Sequence, residues 1–215
     1  NQVRGLLSLN TATHPAHQGK GLFTKLAEET YRASEAEGFE AVYGVANANS
    51  TPGFVRKLGF SSVGQLDAKL GIGRLLKSTV GLDGHELGFR RSWNAESIAW
   101  RISNPKSRLS GVKLGNVGVT GFRAATGKPA IEAWAEIPSN WVPEMQIDLA
   151  STTASGRLWL GLVPEDARIS SLYREVPSWL RPSPLNLIFR SLASGGDVRV
   201  SKGEVFFNFL DFDAY

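Results

Sequence analysis

Between positions 22 and 33 the apolar residues Leu22, Phe23, Leu26, Ala27, Tyr31 and Ala33 recur three and four apart, with Lys25, Glu28, Glu29 and Arg32 between them. That spacing predicts an amphipathic helix with one buried face. Gly38 supplies a stop for it, and Ala41-Val42-Tyr43-Gly44-Val45 then reads as a buried strand that ends in the polar turn Asn47-Ala48-Asn49-Ser50. Ahead of the helix, residues 3–13 carry the apolar run Leu6-Leu7-Ser8-Leu9 and read as a strand. Behind it, a second short helix closes in Leu58-Gly59-Phe60.

Farther along, the pattern is less regular. Residues 61–73 read as a strand running into a glycine turn, and residues 75–91 as a connector punctuated by Gly81, Gly84 and Gly88. A short helix over residues 94–102 has Asn94 as its cap and is halted by Asn104-Pro105. Residues 112–122 and 129–137 form an expected hairpin through Thr126-Gly127-Lys128. Then come an expected helix at 144–151, a strand at 158–163, a helix at 166–180 and strands at 185–192 and 205–212. The order predicts an α/β chain divided into residues 1–75, a connector at 76–93 and a second domain at 94–215.

The first chemistry lies between the first strand and the first helix, in Pro15-Ala16-His17-Gln18-Gly19-Lys20-Gly21-Leu22-Phe23. Glycines without a Cβ let backbone amides approach an anion, and a helix beginning near Gly21 adds free N–H groups and the positive end of its dipole. A nucleotide-triphosphate phosphate loop is excluded. His14 stands where such a loop needs its first glycine, and Gly21 follows Lys20 where Ser or Thr is required.

Gln18-Gly19-Lys20-Gly21-Leu22-Phe23 resembles the Gln/Arg-x-x-Gly-x-Gly/Ala signature of the GCN5-related N-acetyltransferases, and residues 49–60 are similar to that family's second motif, which closes in Gly-Phe. The resemblance covers roughly the first third of the chain. It implies an acyl-coenzyme A N-acyltransferase-like mixed sheet whose first strand corresponds to the family's fourth, so that the missing elements would lie upstream or be replaced by the later chain or a partner subunit. The cofactor implied is acetyl-coenzyme A (acetyl-CoA). Backbone at Thr11, Ala12 and Thr13 would pair with its pantetheine arm, the amides of Gln18, Gly19, Lys20, Gly21, Leu22 and Phe23 would hold its pyrophosphate, and Asn49 would contact the arm, with Asn47 as competitor. The implied activity is transfer of the acetyl group to a primary amine by direct attack.

Two positions depart from the family pattern. Phe23 replaces a small residue at the end of the signature, and Val55 stands where many members carry a general-acid tyrosine. Three other readings therefore stand beside the first: a coenzyme A-binding or sensory protein without turnover, a transferase of another acyl group, and a structural module. The catalytic base is unassigned; His14 and His17 flank the turn and could accept an amine proton or serve as loop residues.

With 215 residues, 42% hydrophobic and 20% charged, the chain can bury a core. It has no cysteine, which excludes a disulfide framework, a thiolate nucleophile and a cysteine zinc site. Its net charge is +4, but the 24 Lys and Arg residues are not gathered in runs, so a nucleic-acid partner is not expected. No apolar stretch is long enough for a membrane span, and a cytoplasmic protein acting on a small amine, with a homo-oligomer as an option, is the expectation.

The second part resembles a degenerate acetyltransferase-like domain. Trp100-Arg101 and the terminal Asp211-Phe212-Asp213-Ala214-Tyr215 are similar to features of acetyltransferase-type proteins encoded with sugar and polysaccharide biosynthesis genes, which implies an amino-sugar acceptor touching Trp100, Arg101, Asp211 and Asp213. Asp-x-Asp could also clamp a metal, but no metal is expected. Lys69-Leu70-Gly71-Ile72-Gly73 reads as a loop.

Overall fold

The computed structural model describes residues 2–9, 12–79, 82, 87–105, 109–114, 118–142, 156–193 and 198–212. Its elements in chain order are β1 (Gly5–Ser8), α1 (Leu22–Ala36), β2 (Ala41–Asn47), α2 (Thr51–Lys57), β3 (Ser61–Gln65), β4 (Asp67–Gly71), β5 (Phe89–Arg90), α3 (Ala95–Ser103), β6 (Ser110–Lys113), β7 (Val119–Ala125), β8 (Ile131–Pro138), β9 (Gly156–Leu162), β10 (Arg174–Glu175), β11 (Leu185–Ser191) and β12 (Val205–Asn208). The chain divides into two compact units, one formed by Asn1–Leu66 with Arg181–Ser201 and the other by Asp67–Leu180 with Lys202–Tyr215. The α/β class with mixed sheets is as expected; the limits of the units are not those of the expected 1–75, 76–93 and 94–215 division.

The first unit is a four-stranded sheet in the order β1-β2-β11-β3. β1 and β2 run parallel from Gly5 opposite Ala41 to Ser8 opposite Gly44, joined by α1. β11 lies antiparallel to both β2 and β3. It pairs in the middle of the sheet although residues 67–180 of the second unit lie between it and β3 in sequence. The apolar face of α1 explains the core: Tyr31 packs with Val42, Ala46, Phe54, Leu58, Phe60, Ile188 and Leu192, and Leu6, Phe23, Ala27 and Phe39 close around them. Each such side chain, fully buried, contributes about 1.5–3 kcal/mol before entropy is subtracted. Both helices stop where the glycines predict. Gly38 takes φ 84° while the Phe39 amide reaches back to the Ser34 carbonyl, and Gly59 at φ 67° lets the Phe60 amide reach the Phe54 carbonyl.

The expected strand over 3–13 is shorter, since β1 ends at Ser8 and Ala12 and Thr13 lie outside it; Thr11 falls outside the described residues. The second unit is built on a larger sheet ordered β10-β4-β9-β8-β7-β6, with β12 also pairing β9. The expected helix 94–102 is present as α3, and Asn94 and Ser97 form a reciprocal capping box. The expected hairpin is present as β7 and β8 around a turn at 126–130, but its first strand does not reach back to Val112, which belongs to β6. Residues 61–73 break at Leu66 into β3 and β4, which belong to different sheets.

The expected helix at 166–180 does not form. Ser170 takes the Leu172 amide on its hydroxyl, its own amide donates to the Leu75 carbonyl, and Pro177 precedes a single 3-10 turn at Ser178–Leu180. Serine side chains that capture nearby amides compete with a helix, and here the backbone finds partners across the unit instead. The strand expected at 205–212 ends at Asn208, where a 3-10 turn, Phe209–Asp211, begins. The helix expected at 144–151 lies outside the described residues.

Candidate functional site

The turn between β1 and α1 is organised by its own polar groups. Pro15–His17 forms a 3-10 turn in which His14 Nδ1 accepts from the Ala16 amide at 3.3 Å, and Gln18 Nε2 donates to the Thr13 carbonyl at 3.2 Å. These contacts fold the loop so that Gly19 and Gly21 both adopt the left-handed conformation, at φ 74° and 69°. A side chain rarely tolerates that conformation, so the two glycines are required by the backbone. A Cβ added at either would meet nothing within 4 Å, so the space above them is open.

α1 begins immediately after Gly21, which provides no side-chain cap, and its first intrahelical bond runs from the Lys25 amide to the Gly21 carbonyl at 3.1 Å. Among the described residues, the amides of residues 19–24 donate to no protein group. Uncapped amides at the start of a 15-residue helix carry the positive end of the helix dipole and suit an anion. Lys20, exposed in the middle of the turn, adds a full positive charge.

Phe23 does not cover this cradle. Its ring meets Phe54 edge-on at 5.3 Å between centroids and lies 3.6 Å from where a Cβ on Gly53 would stand, so its bulk enters the core and locks the first turn of α1 against α2. Leu22, half-buried, begins the same helix.

At the far end of β2, Asn47 and Asn49 separate cleanly. The Asn47 carboxamide oxygen accepts from the amides of Asn49 and Ser50, both at 3.0 Å, and its carbonyl accepts from the Thr51 hydroxyl at 2.7 Å, so Asn47 holds the turn that starts α2. The Asn49 side chain is exposed and takes no part in that network. Two residues with no local sequence signal brace the same turn: Ser183 Oγ accepts from the Ala48 amide, and Asn186 Nδ2 donates to Thr51 Oγ1 at 3.1 Å. Both stand 135 residues away in sequence, on or just before β11. β2 runs to Asn47 whereas its β1 ladder ends at Gly44, leaving residues 45–47 without a β1 partner among the described residues. Cradle and strand end thus lie at the same end of the β1–β2 pair, where β1 leads into the loop.

Val55 is exposed on α2. Behind the loop, Tyr31 is buried beneath the Arg190 guanidinium, 5.4 Å from its ring, and burial raises the phenol above its ordinary pKa despite the hydrogen bond with Ser8. Tyr31 is therefore a neutral support of α1.

The described residues among those expected to meet an acceptor differ in exposure. Trp100 is 65% exposed on α3, whereas its neighbour Arg101 is 4% exposed and donates from Nη2 to the Phe212 carbonyl at 2.7 Å. Asp211 is 2% exposed and accepts the Asn208 amide at 2.7 Å in a capping box. It sits in a 3-10 turn rather than on the expected strand, and Asp213 lies outside the described residues. Burial pushes the Asp211 carboxyl up to about 7, partly offset by the Asn208 amide and by Arg91, Arg101 and Trp93. Among the described residues there is no group of three or more potential metal ligands, and no helix is long and apolar enough to cross a membrane.

Neither a protein-family model nor a curated protein sequence matches this chain. Among solved structures, it is similar to a Thermoplasma acidophilum protein that carries an acetyltransferase assignment, at 12% identity and a TM-score of 0.43 over 87% of this chain and 69% of the other. It is also similar to a GCN5-related N-acetyltransferase from Sphaerobacter thermophilus, at 11% identity and a TM-score of 0.38 over 88% of this chain and 74% of the other.

Proposed function

We propose that the first unit binds acetyl-CoA and that the protein is an N-acetyltransferase acting on a primary amine, with an amino sugar as a candidate acceptor. The observation that carries the reading is the turn at residues 19–24: two left-handed glycines, unpartnered amides and an uncapped helix start, all in a parallel β1–α1–β2 unit. These groups fit a pyrophosphate, because the donors are fixed by the backbone before any ligand arrives and the space above the glycines is open.

In this reading the amides of Gly19, Lys20, Gly21, Leu22, Phe23 and Thr24 hold the pyrophosphate, and the Gln18 side chain keeps the loop closed through Thr13. The β2 edge at residues 45–46 offers backbone groups of the kind an amide-bearing arm pairs with, and the exposed Asn49 carboxamide offers a further hydrogen bond. When bound, acetyl-CoA supplies an activated thioester. The protein's part is orientation of that carbonyl and of the amine, together with N–H groups directed at the developing negative charge. A water chain or a residue outside this constellation removes the amine proton.

Val55 favours one second reading, in which the cofactor binds but no amine turns over, since an aliphatic side chain cannot protonate a leaving thiolate. Calorimetric titration with acetyl-CoA, repeated on Gly21→Glu, tests binding; release of coenzyme A across a panel of amines, amino sugars included, then separates the two readings. Binding by the parent chain that disappears in Gly21→Glu is the expected result. A parent chain that takes up no heat with acetyl-CoA sinks both readings.

A further inference from the structure

The second unit carries an open groove of about 540 Å³ at the turn end of the β7–β8 hairpin, lined by Ser110, Arg123, Thr126, Lys128, Glu132 and the apolar Ala124, Ala125, Pro129, Ala130 and Ile131. That volume lies in the range of small-molecule sites. Its floor is rigid. Arg123 Nη1 donates to Glu132 Oε1 at 2.6 Å and its Nε donates to Ser110 Oγ at 3.0 Å, so the half-buried guanidinium is held by groups from the two neighbouring strands. Its Nη2 has no protein partner among the described residues.

The lip is also built. Thr126 Oγ1 donates to the Ile131 carbonyl at 2.7 Å and accepts the Lys128 amide at 3.1 Å, which fixes the turn without engaging the Lys128 ammonium. Gly127 and Ala130 both adopt positive φ, at 73° and 56°. For alanine this is a strained conformation, and it persists because the Ala130 carbonyl accepts the Gly156 amide at 3.0 Å. Glu132 pairs with Arg123, and the exposed Lys128 stands on the turn beside the guanidinium. Pro129 and Ile131 add apolar atoms to the same lining.

We propose that this groove is a binding site for a small organic anion, a phosphate or carboxylate group on a compact apolar body, with Arg123 and Lys128 taking the anion and the apolar wall taking the body. A preoriented guanidinium with an open edge recognises oxyanions through paired N–H donors, and a nearby ammonium adds an adjustable point charge. The site belongs to the second unit and is independent of the acetyl-CoA reading.

The test uses the whole chain, with backbone amide NMR spectra recorded during titration with phenyl phosphate, benzoate and neutral benzyl alcohol. Saturable shifts confined to residues 110 and 123–132 are expected with one or both anions and not with benzyl alcohol, and the better anion identifies the head group. Lys128 is exposed, so Lys128→Glu should leave the rest of the spectrum unchanged while weakening the anion roughly tenfold or more. Arg123→Lys, which keeps the charge and removes the fork, should weaken it as well. Absence of localised shifts, equal shifts with benzyl alcohol, or anion shifts that survive Lys128→Glu would overturn the proposal.

Discussion

One loop of the first unit and one buried residue of the second treat polar groups in opposite ways. In the first, the loop at residues 19–24 leaves a row of amides at the surface with no protein acceptor. In the second, the buried Glu136 on β8 gives one carboxylate oxygen to the Leu75 amide at 2.7 Å and the Trp134 indole N–H at 2.9 Å, and the other to the Leu76 amide at 2.8 Å. Around it Arg157 stacks on Trp134 at 3.6 Å and, with the Tyr173 hydroxyl, donates to the Gly73 carbonyl. The contrast teaches where to look for chemistry. A strong polar residue that is completely satisfied by its own fold holds that fold together, whereas donors arranged by backbone geometry and left unused are available to a ligand.

The sharpest way to break the comparison is to empty the Glu136 site. Glu136→Leu removes the acceptor for two buried amides and an indole, and each orphaned donor costs about 1–3 kcal/mol. The expected loss is about 4 kcal/mol or more in urea unfolding followed by tryptophan fluorescence, with Glu136→Gln losing less because it retains one acceptor. A Glu136→Leu protein as stable as the parent would mean that the carboxylate is not the tie between β8 and the segment at Leu75–Leu76.

A close second is Gly161→Ala. A Cβ on Gly161 would stand 2.1 Å from the Phe207 carbonyl oxygen, with the Asn208 Cα at 3.0 Å, so β12 would have to move away from β9. Overpacking of this kind costs about 1–3 kcal/mol, and here the obstacle is backbone that has no rotamer to change. Denaturant midpoints read the loss.

Much of the first unit was legible because its signals are local. The 3.6-residue spacing over Leu22 to Ala33, the stops at Gly38 and Gly59 and the strand at Ala41 are each decided within a dozen residues, and the cradle glycines are required by φ values that the turn itself imposes. What was not legible is long-range. Nothing in Leu185–Ser191 distinguishes a strand of the first sheet from one of the second, since its alternation fits either, and the two compact units therefore have limits the sequence does not announce. The segment 166–180 has helix-like apolar spacing, but Ser170 and Pro177 and the partners offered by Leu75 and Ala68 draw its backbone elsewhere. Asp211 and Arg101 looked like exposed site residues because type and position in sequence do not report burial.

Asp211 gives a gentler test of the same contrast. Its folded-state pKa, about 7, lies above the ordinary 3.8, so the folded protein holds this proton more tightly than the unfolded chain does. Its contribution to stability is fully present below the ordinary value, is lost as pH rises through the interval between the two, and is flat above about 7. The slope from a single group cannot exceed about 1.4 kcal/mol per pH unit. Asp211→Asn keeps an oxygen for the Asn208 amide and removes the titration, so its unfolding midpoint should vary less between pH 4 and 7 than that of the parent, by an amount within that slope. An identical pH profile in the two proteins would place the proton elsewhere.

The smallest stability effect is expected where the largest binding effect lies. Lys20→Glu changes an exposed side chain with no partner among the described residues, on a turn whose shape is set by Gly19, Gly21 and the Gln18–Thr13 bond. Its unfolding midpoint should match the parent within about 0.5 kcal/mol. Yet the reversal places a carboxylate in front of the free amides at the start of α1, where it competes as an internal anion and repels an external one, so acetyl-CoA affinity should fall at least roughly tenfold. Gly21→Ala sharpens the point from the other side: the added methyl meets no atom, so it tests the φ 69° backbone alone, at a cost of about 1 kcal/mol. If Lys20→Glu lost stability and kept affinity, the free amides would be a consequence of loop geometry and the ligand would bind by other groups; loss of affinity at unchanged stability is what a surface built for an anion requires.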